Sequence, residues 1–159
     1  MRSQNLVIFN KFKIMKLSII IPAFNEMENL KKGVLEEIEK FLTRQKFSYE
    51  VLIVDDGSTD GSREFIEKTI KEYKSFSLIK NNHGGKAIAV MTGLLSSKGD
   101  IGLFTDMDQA TPISEIEKLL PFFDEGFDIV IGSRQGRKGA PIIRKLMAAG
   151  FSVFRTIVI

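Results

Sequence analysis

Two aspartates one residue apart, Asp106 and Asp108 in "GLFTDMDQATP" (102–112), close an apolar run. On extended backbone, residues i and i+2 project to the same side, so this spacing can present both carboxylates to one point. Two anions so placed repel and raise each other's pKa unless a cation lies between them. A hard divalent ion such as Mg2+ or Mn2+, which takes carboxylate and phosphate oxygens, meets that need. The competing reading is an ordinary turn, where aspartate is common.

A second acidic pair, Asp55 and Asp56, opens "VDDGSTDGS" (54–62). An acid at a strand end can accept hydrogen bonds from a nucleotide's ribose or base. The alternative is a turn leading into a helix capped by Ser58 or Thr59. A third stretch, "NNHGGKAIAV" (81–90), sets a glycine pair before Lys86, which suits the approach and neutralisation of a phosphate. It is not a Walker A loop, because Lys80 stands where that pattern has its first glycine and Ala87 where it has Ser or Thr. His83 is read as a loop residue rather than a catalytic base. With one histidine and no cysteine in the chain, zinc catalysis and Cys/His or Ser/His nucleophile schemes lack material.

These stretches need elements to hold them. Apolar runs recur at 16–24, 49–56, 76–81, 100–106 and 127–133, and their cores are unbroken rather than alternating. That is the pattern of strands buried on both faces of a parallel sheet. Helical spacing fills 27–45, 59–73, 86–97 and 113–125, with "SEIE" (114–117) fitting a capping box behind Pro112. Strand and helix alternate, which predicts a doubly wound α/β fold with a mostly parallel, Rossmann-like sheet and flanking helices. In such sheets ligands bind beyond the carboxyl ends of the strands. Asn25 and Glu26, Asp55 and Asp56, Asp106 and Asp108, and Arg134 all follow predicted strand ends and would converge on one rim.

The length suits one domain. The 43% hydrophobic and 27% charged composition is that of a globule, and no apolar run reads as a membrane span. The net charge of +3 is unevenly placed: 1–16 and the stretch after Asp128 carry bases and no acid, so 17–128 holds 13 of the 23 bases and all 20 acids, a net of −7. Basic ends on an acidic body fit an anionic partner, a phosphate or a lipid surface. Residues 1–16 lack the pattern of a signal peptide, so export is not expected, and Met15 is a second candidate start. From 140 to 159 a helical projection puts Arg144, Lys145, Ser152 and Arg155 on one arc. Ile143, Leu146, Met147, Phe151, Phe154, Ile157 and Val158 fall on the other. That is the make-up of an interfacial helix, or of one that packs on its own domain. The division expected is a basic extension (1–16), a catalytic domain (17–139) and a basic amphipathic helix (140–159).

In combination, "SIIIPAFNEMENL", "EVLIVDDGSTDGS", "NNHGGKAIAVMTGLLSSKGD", "FTDMDQATP" and "IVIGSRQGRKGAPIIRKLMAAGFS" resemble the family 2 glycosyltransferases, and among them the dolichyl- and polyprenyl-phosphate sugar synthases. The resemblance implies a GT-A fold, a nucleotide-sugar donor of the GDP-mannose or UDP-glucose class, Mg2+ or Mn2+, and a polyprenyl phosphate acceptor at the cytoplasmic face of a membrane. By position it places Pro22, Phe24, Glu26, Asp55, Asp56 and Lys86 on the nucleotide sugar. It places Asp106 and Asp108 on the metal and diphosphate, and Arg134 and Arg144 on the acceptor phosphate. Two departures stand out. Where many mannosyl-phosphate synthases have a metal-facing glutamine, this chain has Ala110, with Gln109 one place early. Phe24 stands where tyrosine is frequent and keeps only a stacking role.

The chemistry implied is displacement at the anomeric carbon with inversion, catalysed through Asp106, Asp108 and Arg134. A phosphate acceptor needs no general base, since it is already anionic near neutral pH, whereas a sugar hydroxyl does; "FFDEGFD" offers only Asp124 and Glu125 for that task. The alternatives are a family 2 enzyme with a glycan acceptor, or a truncated donor-binding module that transfers poorly, since the chain stops at Ile159. A signalling receiver domain fits less well: its acid pair would follow the first strand, not the second. No nucleic-acid partner is expected.

Overall fold

The computed structural model describes residues 16–132, and backbone contacts divide the chain into two units, one ending at Ile116 and the other beginning at Glu117. The first unit is built on four parallel strands, β1 (Lys16–Ala23), β2 (Ser48–Asp55), β3 (Phe76–Lys80) and β4 (Ile101–Phe104), in the order β3-β2-β1-β4. The predicted alternation holds. Helices α1 (Met27–Lys31) and α2 (Val34–Leu42) follow β1, α3 (Ser62–Thr69) follows β2, and α4 (Lys86–Ser96) joins β3 to β4. The single helix expected over 27–45 is thus two, separated at Gly33.

The central strands are apolar on both faces because both faces are covered. Ile20 pairs with Leu52 and Pro22 with Val54, and this face lies under α4, where Ile20, Val54 and Ala89 form a buried cluster joined by Ile79. The approach is close: a Cβ at Gly93 would run into the Ile20 side chain. The opposite face turns Ile19, Ile21, Val51 and Ile53 inward, and α2 and α3 add Leu35, Ile38, Leu42 and Ile66, all buried. Each such side chain contributes about 1.5–3 kcal/mol of burial.

At the amino ends of the strands a polar clasp closes the sheet. Glu50 accepts hydrogen bonds from the Ser18 hydroxyl (2.6 Å) and the Lys98 N–H (2.7 Å) and lies 3.5 Å from the Lys16 ammonium. Burial pushes the Glu50 carboxyl up, but these donors and the ammonium outweigh it and hold it below the ordinary glutamate value.

In the second unit the described residues hold the body of α5 (Ile116–Asp124) and the chain to 132. The fifth strand predicted over 127–133 is not formed by 127–132. Gly126 is left-handed (φ 95°), its N–H bonds the Phe123 carbonyl (3.1 Å), and the Phe127 N–H turns back to the Phe122 carbonyl (3.2 Å). Phe127 packs edge-on against Phe122, centroids 6.1 Å apart. This is a Schellman stop, with glycine at the left-handed position and an apolar contact across it. It takes the first residue of the expected strand to end the helix, and Ile129 and Ile131 beyond it are 78% and 83% exposed.

Candidate active site

All four strands run the same way, so the loops at their carboxyl ends share one rim of the first unit. Ladder bonds carry the chain slightly past each strand: the Asp56 N–H donates to Ala23 O, Asn81 N–H to Asp55 O and Thr105 N–H to Ile20 O. The rim encloses a cleft of about 350 Å3 lined by Pro22, Phe24, Glu26, Asp56, His83, Lys86, Asp106, Met107 and Asp108 among others. That volume lies in the range of small-molecule sites.

Asp56 is buried at the edge of the cleft, and each of its oxygens has a donor. Its Oδ1 accepts the Gly84 N–H (3.0 Å) and its Oδ2 the Gly85 N–H (2.8 Å), so the carboxylate shapes the glycine loop ahead of α4. His83 Nδ1 lies 2.9 Å from Asp56 Oδ2 and 3.0 Å from the Asp56 carbonyl. Both partners are acceptors, so Nδ1 carries the ring proton. The imidazole stacks on Phe24, centroids 4.4 Å apart and planes at 28°. Gly57 lets the loop of His83 come close, being left-handed (φ 82°) with the site of its absent Cβ only 3.1 Å from the His83 backbone nitrogen.

Asp55 lies beneath the cleft and does not line it. It is 0% exposed; its Oδ2 takes the Arg63 Nε (2.7 Å) and Nη2 (2.6 Å), and its Oδ1 accepts the Ser58 N–H (3.3 Å). Two guanidinium nitrogens thus reach from α3 to one oxygen at the end of β2, a charge-assisted contact to a buried carboxylate. Ser58 and Thr59 do not cap α3. The cap position is Gly61, while Ser58 Oγ accepts the Asn25 N–H (3.0 Å) and the Thr59 N–H donates to Asn25 Oδ1 (2.8 Å). The two polar residues are drawn to the neighbouring loop, where Asn25 is left-handed (φ 55°), a conformation asparagine tolerates. Asp60 completes the loop pairing. Its Oδ1 accepts the Ser62 hydroxyl (2.5 Å) and N–H (3.0 Å), and its Oδ2 the Met27 N–H (3.2 Å). Glu26, on the cleft, takes the Asn29 amide on Oε2 (2.6 Å).

Asp106 and Asp108 come together differently from expectation. The strand ends at Phe104, and 106–109 form a turn closed by the Gln109 N–H on the Asp106 carbonyl (3.2 Å). Met107 is buried between them, and both acids line the cleft. Gln109 is left-handed (φ 48°), a conformation that costs about 1–2 kcal/mol in a residue of this type. Its side chain offsets this from both ends: Nε2 donates to Asp106 O (2.8 Å) and Oε1 accepts the Ile113 N–H (2.9 Å). Gln109 therefore satisfies the first N–H of the 3₁₀ turn 113–115 ahead of α5. The carboxylates themselves are loosely held. Asp108 Oδ1 accepts the Ala110 N–H (2.9 Å), and Asp106 Oδ1 meets Lys86 Nζ at 2.5 Å.

Among the described residues no group of three or more His, Cys, Asp or Glu could enclose a metal. Two half-exposed carboxylates on a cleft do suit Mg2+ or Mn2+, which take one or two carboxylates and complete their shell with water and substrate phosphate. Arg134 and Arg144, like the basic extension before residue 16 and the helix from 140, lie outside the described residues. Sequence reasoning did not single out Arg63, and it gave His83 no place on the cleft. The position of His83 beside the glycine pair was the available signal for the latter.

A parallel sheet with acids at its carboxyl rim and a glycine loop leading into α4 defines a nucleotide-sugar transferase fold of the GT-A type. The sequence model of glycosyl transferase family 2 matches residues 18–154, and the chain belongs to that family. It is 34% identical over 128 residues to the undecaprenyl-phosphate 4-deoxy-4-formamido-L-arabinose transferase of Proteus mirabilis, covering 79% of this chain and 39% of that one. The Salmonella choleraesuis enzyme of the same name is 35% identical over 132 residues, covering 82% and 40%. The chain thus spans about two fifths of the length of these curated relatives. Among solved structures it is similar to the mannosyltransferase PcManGT from Pyrobaculum calidifontis in complex with GDP-Man and Mn2+ (28% identity, TM-score 0.50, 58% of this chain and 27% of that one). It shares its fold with residues 1–349 of TarS from S. aureus (24% identity, TM-score 0.57, 80% and 41%).

Proposed function

We propose that this chain carries the donor site of a transferase that moves a sugar from a nucleoside diphosphate to a polyprenyl phosphate, with inversion at the anomeric carbon. The observation that carries the reading is the convergence of Asp106, Asp108 and Lys86 with the Phe24 ring on one cleft. A base stacks at Phe24, and the Asp56-braced glycine loop backs the sugar nucleotide. Asp106 and Asp108 are the residues that would hold Mg2+ or Mn2+. When bound, that ion supplies Lewis-acid neutralisation of the leaving diphosphate. Lys86 adds a positive charge on the same side, and Arg134 and Arg144 hold the acceptor phosphate by charge-assisted hydrogen bonds. The acceptor oxygen attacks as an anion, so no proton has to be removed and Glu26 and Asp56 are free of that duty. The names of the undecaprenyl-phosphate relatives and the GDP-Man and Mn2+ of PcManGT support this choice of substrates and ion. No helix among the described residues is long and apolar enough to cross a membrane, and the proposed place of action is the cytoplasmic membrane surface, reached peripherally.

The test is transfer of radiolabelled sugar from GDP-mannose and UDP-glucose, with Mn2+, in vesicles with and without polyprenyl phosphate. The reading expects label in the lipid fraction only when the polyprenyl phosphate is present. Equal label in a soluble glycan transfers the assignment to a glycan acceptor. Donor binding without any transfer leaves the chain a donor-binding module.

A further inference from the structure

We propose that Lys86 is a displaceable counter-ion of the cation seat. It pairs with Asp106 when the protein is alone, yields that carboxylate to the divalent ion, and passes its charge to the donor's diphosphate. The inference rests on the reading of Asp106 and Asp108 given above and adds a role for the lysine that pairs with Asp106 on the cleft.

Its basis is the contrast in how the cleft's acids are held. Asp56 is fixed by two backbone N–H groups, whereas Asp106 has, among the described residues, Lys86 as its ion-pair partner at 2.5 Å. The Lys86 and Asp106 side chains are 59% and 43% exposed. An ion pair so open contributes little net stability, because water and side-chain entropy offset most of the attraction. It is therefore inexpensive to break. The turn that carries Asp106 does not depend on it, being braced by Gln109 on the Asp106 carbonyl and on the Ile113 N–H. Lys86 is the first residue of α4, directly after Gly85, around whose missing Cβ nothing lies within 4 Å. Its four-carbon stem can swing within the cleft without moving the helix.

Two cations cannot share one carboxylate freely. A divalent ion at Asp106 and Asp108 repels the ammonium, so Lys86 opposes the ion as long as no further anion is present. A diphosphate reverses the sign. It brings more negative charge than the ion neutralises, and the released ammonium then favours the ternary state. Lys86 thus biases the seat against a bare metal ion and toward a metal ion that arrives with its nucleotide.

The experiment uses the whole chain, wild type and Lys86→Gln, with Lys86→Arg as the charge-preserving control. Free Mn2+ is titrated by its electron paramagnetic resonance signal without nucleotide. UDP and GDP binding at saturating Mn2+ is then followed by calorimetry. The expected result is a pair of opposite changes. Lys86→Gln tightens Mn2+ alone by about threefold to tenfold and weakens the diphosphate by a similar factor, while Lys86→Arg stays near wild type in both. Thermal unfolding of Lys86→Gln should lie within about 2 °C of wild type, since the pair is exposed. If wild type binds Mn2+ and a diphosphate but Lys86→Gln leaves Mn2+ binding unchanged or weaker, the counter-ion role is overturned and the donor-site reading survives. If wild type binds neither Mn2+ nor a diphosphate, both are overturned.

Discussion

Asp55 and Asp56 close β2, and Asp106 and Asp108 follow β4; in the sequence the two pairs look alike, each a couple of acids at the mouth of an apolar run. Their surroundings are opposite. The first pair is buried and every carboxylate oxygen has a donor: Arg63 and the Ser58 N–H for Asp55, the Gly84 and Gly85 N–H groups with His83 for Asp56. The second pair faces the cleft and, among the described residues, has one backbone donor on Asp108 and a solvent-exposed lysine on Asp106. A carboxylate with fixed donors on both oxygens is costly to rearrange, since exchanging those partners for a ligand would leave buried groups unpaired. One whose partner is mobile and wet can take a new cation at small cost. On the proposed reading the same residue type would build the wall of the site at one strand end and its exchangeable contact at another.

Substitutions should separate the two pairs. The largest loss of stability is expected from Arg63→Ala, which strands the fully buried Asp55: about 3 kcal/mol in chemical denaturation, at the low edge for a buried pair because Arg63 keeps 30% exposure. Asp56→Asn removes charge from an acceptor of two N–H groups and should cost about 1–3 kcal/mol. Hydrogen exchange at Gly84 and Gly85 should speed up with it. A smaller effect comes from the clasp on the far side of the sheet. Glu50 is held below its ordinary value in the folded state, so the stability it contributes is full above the unfolded glutamate pKa and is lost as pH falls through the lower folded value. Glu50→Gln should cost about 1 kcal/mol at pH 7 and flatten that acid limb of the denaturation curve. Least affected are Asp106→Asn and Asp108→Asn, whose unfolding should stay within about 0.5 kcal/mol of wild type. A loss of several kcal/mol in either would erase the distinction between wall and contact.

The sheet was legible because the two central strands, β1 and β2, carry unbroken apolar cores between helical patterns, and a strand covered on both faces has no reason to alternate. The fifth run failed on its first residue: Phe127 is as suitable for a strand as for a Schellman contact, and Gly126 decides between them through its backbone. The cap expected ahead of α3 failed for a related reason. Ser58 and Thr59 bind Asn25, more than thirty residues away, and local spacing carries no sign of that. The rim itself was foreseen, since strand ends determine it, but the division of labour between the acid pairs was not, because it rests on Arg63 reaching back from α3 and on backbone N–H groups of the loop after β3. The misplaced glutamine is the sharpest case. Gln109 stood out as one position early, and the structure gives it a bracing task on both sides of its own turn.

The central claim is that the exposed pair, and not the buried one, receives the cation that carries the diphosphate. Calorimetric titration of UDP and GDP into wild type and into the Asp106→Asn, Asp108→Asn double variant, each with and without Mn2+, tests it most directly. The account predicts that Mn2+ strengthens diphosphate binding to wild type by tenfold or more and has no effect on the folded double variant. An equal Mn2+ dependence in the two proteins would contradict it.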